Sequence, residues 1–313
     1  MVASGEIIFP NGAPAERFRL ASFSVSLPWF DETLNAQRQS QKDSPVKLFV
    51  MGKNKWRCEQ EWPLARTRYT PYYLRTTSSS NPAFCAGELS LLAPRADEPD
   101  DDYLYDPLNP VPTAGGAMMG KGSGIVRQNE IESRSDVLTY TTCTLTEDIE
   151  VTGPVTAILY VSTSSPCTDF TAKLVDVHPD GAAFNVCDGI LRRRYEKRGD
   201  TPEASRTQEI KVQLWPTSMV FLKGHQIRLE ISSSNFPRFD RNPNTGNPIA
   251  TETEAIVANQ IVRHGLHYPS RLILPVIPEQ HSRNIPMSFH AHNRQVHSGC
   301  SNIGFRCAAK SNQ

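Results

Sequence analysis

The sequence has no excess of charge of either sign, because 33 Lys and Arg residues balance 33 Asp and Glu residues. Domains that bind nucleic acid usually carry a basic excess or stripe, so we expect no nucleic-acid partner. No apolar run approaches the roughly 20 residues needed to cross a bilayer, and we expect no membrane partner. The first residues contain no basic segment followed by a long apolar core, which predicts no secretory signal and a cytoplasmic location.

Cysteine patterns typical of disulfide scaffolds and metal sites are also missing. The seven cysteines include no C-x-x-C pair and are widely spaced, apart from Cys300 and Cys307. An odd number of such cysteines is typical of free thiols in a reducing compartment, although a Cys300–Cys307 disulfide is an alternative. Histidines and cysteines in the polar tail, residues 279–313, match no standard zinc-ligand spacing. We therefore expect no metal, no cofactor and a poorly ordered tail.

A nucleophile motif for serine hydrolysis is absent as well. The sequence contains no G-x-S-x-G, the motif that places a serine on a turn between a strand and a helix. A serine hydroxyl is a weak nucleophile unless an oriented base activates it, so no catalytic residue is identifiable. A rebuilt site that combines His178, His225 or His264 with a nearby Ser or Cys is an alternative, but no spacing favours a particular pair.

Long helices are disfavoured by the composition, since proline outnumbers glycine by 24 to 18. Short apolar or alternating segments separated by Gly, Pro and Asp turns are typical of a β-sandwich. Such segments are found at 47–51, 69–74, 88–92, 137–140, 155–161, 170–177, 184–192, 208–215, 226–231 and 271–276. The sequence therefore predicts an all-β, jelly-roll-like sandwich of two sheets.

Three polar features have ordinary structural interpretations. The acidic run Asp97–Asp102 lacks the alternating ligands of a calcium loop, and we interpret it as a solvated turn. His178 precedes the turn Pro179-Asp180-Gly181, so it is interpreted as a turn residue. His264 and His267 lie three apart without acidic neighbours in the sequence, which argues against a metal site there.

The most informative segment of the sequence is residues 217–246. It combines two strand patterns, a Lys-Gly turn and the polar loop Ser-Ser-Ser-Asn-Phe-Pro-Arg-Phe-Asp-Arg-Asn-Pro. It closely resembles the C-terminal β-sandwich of the cocaine-esterase and X-Pro dipeptidyl-peptidase (CocE/NonD) group of serine hydrolases. Further motifs follow in that family's order, so the resemblance covers roughly residues 46–278. They lie at 46–62, 103–116, 136–140, 145–154, 168–181, 187–191 and 268–278.

The resemblance implies a domain organisation and a role. Residues 1–44 resemble the end of a hydrolase domain with a short helix and a linker, and residues 45–278 resemble the β-sandwich. On this comparison the Ser, Asp and His of the family's triad fall before Met1. The implied function is that of an accessory sandwich, not hydrolytic alone, whose partner is an α/β-hydrolase domain or a second copy in a homodimer. The alternative is a repurposed sandwich that binds a small apolar or sugar-like ligand and guides a non-hydrolytic reaction by shape.

Two groups of residues are candidates for ligand contact. In the family, the segment after Val-Pro-Thr-Ala-Gly-Gly forms a wall of the acyl pocket; here it contains Met118, Met119 and Gly120, which implies a wider pocket. These residues could equally be core or strand-edge positions. The second group is the polar loop with Asn235, Arg238, Asp240 and Arg241. A structural loop that bonds its own backbone and neighbouring carboxylates is the alternative there.

Overall fold

The computed structural model describes residues 44–76, 86–118, 122–194 and 206–278. Outside these ranges it describes backbone strands at 2–4, 7–9, 197–198 and 201–202, and the single positions Leu27, Phe30 and Leu34. Those three positions are helical, within the short helix predicted near the N-terminus. Across all these described residues, no helix has both the length and the apolar character that spanning a bilayer requires.

Strands dominate the described residues. Their bounds are β1 Val2–Ser4, β2 Ile7–Phe9, β3 Val46–Val50, β4 Lys55–Glu59, β5 Arg68–Thr76, β6 Ala86–Ser90, β7 Asp101–Tyr105, β8 Leu138–Thr141, β9 Ile149–Thr163, β10 Cys167–Val177, β11 Ala183–Arg194, β12 Lys197–Arg198, β13 Thr201–Pro202, β14 Gln208–Phe221, β15 Gln226–Ser232, β16 Ala258–Arg263 and β17 Arg271–Ile277. The helical elements with defined bounds are the one-turn helix α1, Asn129–Glu132, and a 3-10 turn, Ile249–Thr251.

Eleven strands form one hydrogen-bonded network that folds over into the two layers of a β-sandwich. The path runs β11-β10-β15-β8-β6-β5-β17-β9-β16-β7, and β14 pairs with β9 beside it. All pairings are antiparallel except that of β6 with β8. Strand β11 meets β14 across the sandwich at Gly189, where an added Cβ would lie 2.1 Å from the carbonyl oxygen of Gln213. The predicted two-sheet fold is confirmed.

The core follows from the period-two pattern of the sequence. In β15 the side chains of Ile227, Leu229 and Ile231 point inward and are fully buried. In β9, alternate residues from Val155 to Val161 do the same. Burying each such aliphatic side chain contributes about 1.5–3 kcal/mol, so these alternating runs supply much of the driving force for folding. Successive side chains of a strand point to opposite faces, which explains why the pattern can be read from the sequence.

Two expectations about local structure need correction. Strands β4, β7 and β16 were not among the predicted segments, and the predicted turn at Asp97–Asp102 gives way to β7 from Asp101 onward. The acidic side chains of this run are not all simply solvated, because four of the five pair with a distant residue, whereas Asp102 is exposed. The pairs are Asp97 with His267, Glu98 with Arg75, Asp100 with Arg263, and Asp101 with both Tyr140 and His264.

The described cysteines agree with the expectation of free thiols. Cys58, Cys143, Cys167 and Cys187 form no disulfide. Cys85, Cys300 and Cys307 lie outside the described residues, as does the whole predicted tail.

Candidate functional site

An open groove of about 560 Å³ lies between the β3–β4 hairpin, the loop after residue 113, and the strands β11 and β14. Its lining is mainly apolar and includes Phe49, Trp62, Ile125, Val186 and Trp215. The indole of Trp215 is 59% exposed and that of Trp62 is 40% exposed. Large aromatic side chains usually bury most of their surface, so a groove with two open indoles is suited to covering by another molecule.

The β14 strand places Trp215 at the groove by regular alternation, since Lys211, Gln213 and Trp215 are all exposed while the residues between them are buried. The register of β14 against β9 shifts between Leu214 and Thr217, so Trp215 and Pro216 form an irregularity. Pro216 has no N–H to donate to the ladder, which favours such a break. A break of this kind re-aims side chains, and it leaves Pro216 exposed where regular alternation would bury it.

The β3–β4 hairpin forms the opposite side of the groove and is fixed to the sandwich through backbone bonds. The Met51 N–H donates to the Ser218 carbonyl at 2.9 Å, and the Val220 N–H donates to the Met51 carbonyl at 2.9 Å. Phe49 packs edge-on against Trp56, with ring centroids 5.4 Å apart. The hairpin therefore holds its groove-facing aromatic side chains on a supported backbone.

Glycines shape the third side of the groove. Gly116 and Gly124 exchange two backbone hydrogen bonds, of 2.7 and 2.9 Å. Gly116 has φ of 92°, and a Cβ built on it would lie 2.7 Å from Nη1 of Arg238. Only glycine combines this backbone conformation with so close an approach. Met118 is half-buried and is not among the residues that line the groove, whereas Met119 and Gly120 lie outside the described residues.

Asp188 on β11 binds two residues of the candidate polar loop. Its carboxylate accepts hydrogen bonds from the Arg238 guanidinium and, at 2.9 Å, from Nδ2 of Asn235. Arg238 reaches over Gly116 to make this contact, and Asp188 also lines the groove. The structure thus bonds Asn235 and Arg238 to a carboxylate of the groove lining, although neither of the two lines the groove itself.

The rest of the polar loop is bonded to other parts of the protein. Arg241 donates to the Pro107 carbonyl at 3.0 Å, and Asp240 is mostly exposed beside Arg192. Arg192 makes two 2.8 Å bonds to Asp169, its cross-strand neighbour in the β10–β11 register. The Arg192–Asp169 contact is thus a cross-strand ion pair, and neither Asp240 nor Arg241 lines the groove.

Histidine–carboxylate contacts were missed by reading along the chain. His264 is buried, with Nε2 2.9 Å from Asp101, and His267 lies 2.7 Å from Asp97 through Nδ1. These histidines have no acidic neighbours in the sequence, but each has a carboxylate beside it in the folded protein. Their partners lie more than 160 residues away in the sequence, which no local pattern can indicate.

Cys187 is one of the residues that line the groove. Burial raises the pKa of its thiol far above the ordinary value. The thiolate is the reactive form of cysteine, so Cys187 is an inert apolar lining residue at neutral pH.

With the fold and the groove defined, the relationship to other proteins is clear. Residues 39–273 match the family described as X-Pro dipeptidyl-peptidase C-terminal non-catalytic domain. The chain belongs to this family. It represents the accessory C-terminal domain of CocE/NonD-type hydrolases.

Individual relatives agree with this assignment. The chain is 45% identical to cocaine esterase of Rhodococcus sp. (strain MB1 Bresler) over 257 residues, which is 80% of this chain and 45% of the esterase. It superimposes on an aminopeptidase from a marine sediment Thaumarchaeota archaeon with a TM-score of 0.70 and 27% identity, covering 88% of this chain and 47% of that one. An α-amino acid ester hydrolase gives a TM-score of 0.70 and 28% identity, with coverage of 88% and 47%. The chain thus spans less than half the length of each of these relatives.

Proposed function

We propose that this chain acts as the non-catalytic β-sandwich of a serine hydrolase, packs on an α/β-hydrolase domain through the groove, and does not hydrolyse substrates alone. The observation that carries the proposal is the groove itself, with its two exposed indoles beside the Gly116 loop. In this arrangement Met118, Met119 and Gly120 would form part of the wall of the substrate pocket.

The exposed aromatic side chains support a docking role. Tryptophan is among the residues that most often dominate binding energy at protein interfaces. Trp62 and Trp215 expose apolar surface to water, and removing such surface from water lowers the free energy. A hydrolase domain seated on the groove would bury both of them and would leave the groove as a cleft between the two domains, where substrate pockets commonly form.

The described histidines support the absence of independent hydrolysis. Each of the four pairs with a carboxylate, and among the described residues none has a serine or cysteine side chain as a hydrogen-bond partner. A serine nucleophile needs such a base within hydrogen-bond reach. The purified chain should therefore give no labelling with a fluorophosphonate probe and no turnover of a p-nitrophenyl ester. Labelling of a serine between residues 44 and 278 would contradict this part of the proposal.

Docking can be tested with the Rhodococcus relative. Cocaine esterase shortened before its matching region would be co-expressed with this chain carrying an affinity tag. We expect the two polypeptides to purify together and esterase activity to accompany them. Failure of the shortened but soluble esterase to copurify would contradict the docking proposal.

A pair of variants locates the surface. Trp215→Asp should weaken copurification at least about tenfold, because a buried aromatic contact is replaced by a charge. Leu104→Asp is the matched control, since Leu104 is 63% exposed on β7 and does not line the groove. Sedimentation of the chain alone distinguishes a homodimer from docking on a hydrolase domain. If two copies associate through the groove, the native chain sediments as a dimer and Trp215→Asp sediments as a monomer.

A second candidate function is binding of a small apolar or sugar-like ligand, which the groove volume favours. Ligand pockets usually measure about 300–1,000 Å³, a range that includes this groove. Its apolar wall carries the polar side chains of Asn185 and Asp188 at one side. A bound reactant held there could be guided through a non-hydrolytic reaction by position alone. Saturable quenching of indole fluorescence by acyl esters or hexoses, lost in Trp215→Ala, would support this function over docking.

A further inference from the structure

A second group of functional side chains lies outside the groove, where one end of β10 meets the start of β15. Asp176, His178 and His225 each offer one ligand atom, and these atoms all lie within 4.8 Å of one another. We propose that these three residues form a binding site for a zinc-class divalent cation. The proposal does not depend on the hydrolase partnership, and it replaces the expectation that the protein has no metal site.

The strand register explains why three residues distant in the sequence converge. Strands β10 and β15 pair antiparallel, with Val177 opposite Gln226. One step beyond that pair, His178 comes opposite His225. Residues two apart in a strand point to the same face, so Asp176 and His178 share a side of β10. The turn after β10 holds His178, and the turn before β15 holds His225. Both imidazoles therefore lie beside the carboxylate of Asp176.

The distances suit coordination by one ion. Nδ1 of His225 lies 2.9 Å from Oδ1 of Asp176, and Nε2 of His178 lies 3.3 Å from Oδ2. Ligand atoms around a tetrahedral zinc ion with bonds of about 2.0–2.1 Å are separated by roughly 3.3 Å. Two imidazole nitrogens and one carboxylate oxygen suit zinc, cobalt or nickel rather than calcium or magnesium, which prefer oxygen ligands. The fourth position would be open to water.

Electrostatics favour a cation at this point. Asp176 is buried, and its two carboxylate oxygens lie against the two imidazoles. A divalent ion bound between the three side chains would compensate the charge of this buried carboxylate. The exposed carboxylate of Asp180 adds negative potential beside His178, whereas the nearby Asp148 is paired with Lys53.

Packing orients the ligands and leaves a route for entry. The ring of His178 lies 4.8 Å from Phe184 and 4.4 Å from His225, measured between centroids. His178 is one-third exposed, so an ion can reach the site from solvent. Binding would join the β10–β11 turn to the β14–β15 turn and fasten one end of the sandwich.

The test uses the full-length chain without a polyhistidine tag, stripped with a chelator and titrated with Zn²⁺ and Co²⁺. We expect a tight site that gives Co²⁺ visible absorption of the tetrahedral type. His178→Phe should keep the packing on Phe184 yet lower the Zn²⁺ affinity of this site at least about tenfold, because even residues that only support a ligand contribute 10–100-fold. His225→Gln should do the same, and serves as a second variant if His178→Phe does not fold.

His267→Gln is the matched control, because His267 is an exposed histidine that pairs with Asp97. It should leave the Zn²⁺ affinity and the Co²⁺ spectrum unchanged. The tail histidines remain in every variant, so a signal from the tail would persist in all of them. Equal affinity and an identical Co²⁺ spectrum in the native chain, His178→Phe and His225→Gln would overturn the proposal.

Discussion

The polar loop of residues 235–242 and the groove beside Gly116 differ in a way that the sequence conceals. The loop has the denser chemistry, yet Asn235 and Arg238 bond to Asp188 while Asn242 bonds to Asp169. The groove is lined by ordinary apolar residues, and its indoles are exposed. A crowded polar segment can therefore serve mainly to hold strands together, whereas the surface suited to a partner is recognised by what it leaves uncovered.

The largest expected effect tests the structural role of the loop. Asp188→Ala removes the carboxylate that neutralises Arg238, whose side chain is only 8% exposed. Breaking a buried pair by deleting one partner costs about 3–5 kcal/mol, because the remaining charge is left unpaired. Urea unfolding should show this loss.

The matched control for that experiment is Asp240→Ala. Asp240 is 64% exposed and its pair with Arg192 is solvent-screened, so the expected change in unfolding free energy is under about 1 kcal/mol. Equal losses in the two variants would show that the loop does not depend on its Asp188 contacts.

A second prediction concerns pH and the buried pair behind the loop. Lys173 lies 3.0 Å from Glu230, and burial raises the pKa of Glu230 to about 7. A carboxyl whose folded pKa is raised binds more protons in the folded state, so its stabilising contribution is complete below about pH 4.5 and is lost as the pH rises through 7. Relative to Glu230→Gln, which mimics the protonated form, the native chain should lose about 3 kcal/mol of unfolding free energy over that window.

The measurement is chemical unfolding of both proteins at several pH values between 4 and 8. Only the difference between the two proteins is interpreted, since other groups titrate equally in both. A difference independent of pH would mean that the Glu230 carboxyl has the same pKa in the folded and unfolded protein, and would contradict this prediction.

The smallest expected effect concerns the groove. Trp215→Ala should change the unfolding free energy by less than about 0.5 kcal/mol, because the indole is exposed and contributes little to the core. Its neighbour Leu214 faces inward, and Leu214→Ala should cost about 2–5 kcal/mol. Thermal or urea unfolding compares the two. A large loss from Trp215→Ala would make the groove part of the core rather than a binding surface.

Much of the fold was predictable because alternation along a strand reports directly which face is buried. The segments now assigned to β9, β10, β15 and β17 follow that rule, and the Lys-Gly turn before β15 has Gly224 at φ of 87° as a tight turn requires. Strand β7 was missed because it opens with two acidic residues. The partners of Asp101, His264 and Tyr140, come from other parts of the chain, so this acid looks solvated when the sequence is considered alone.

The sequence by itself determined the sandwich and the family, since both rest on local periodicity and on ordered motifs. Only the tertiary structure decided which polar residues meet, where the groove opens, and how Asp176, His178 and His225 converge. The physical reason is that burial patterns repeat every two residues within a strand, whereas these contacts depend on the register between strands and on the packing of one layer against the other.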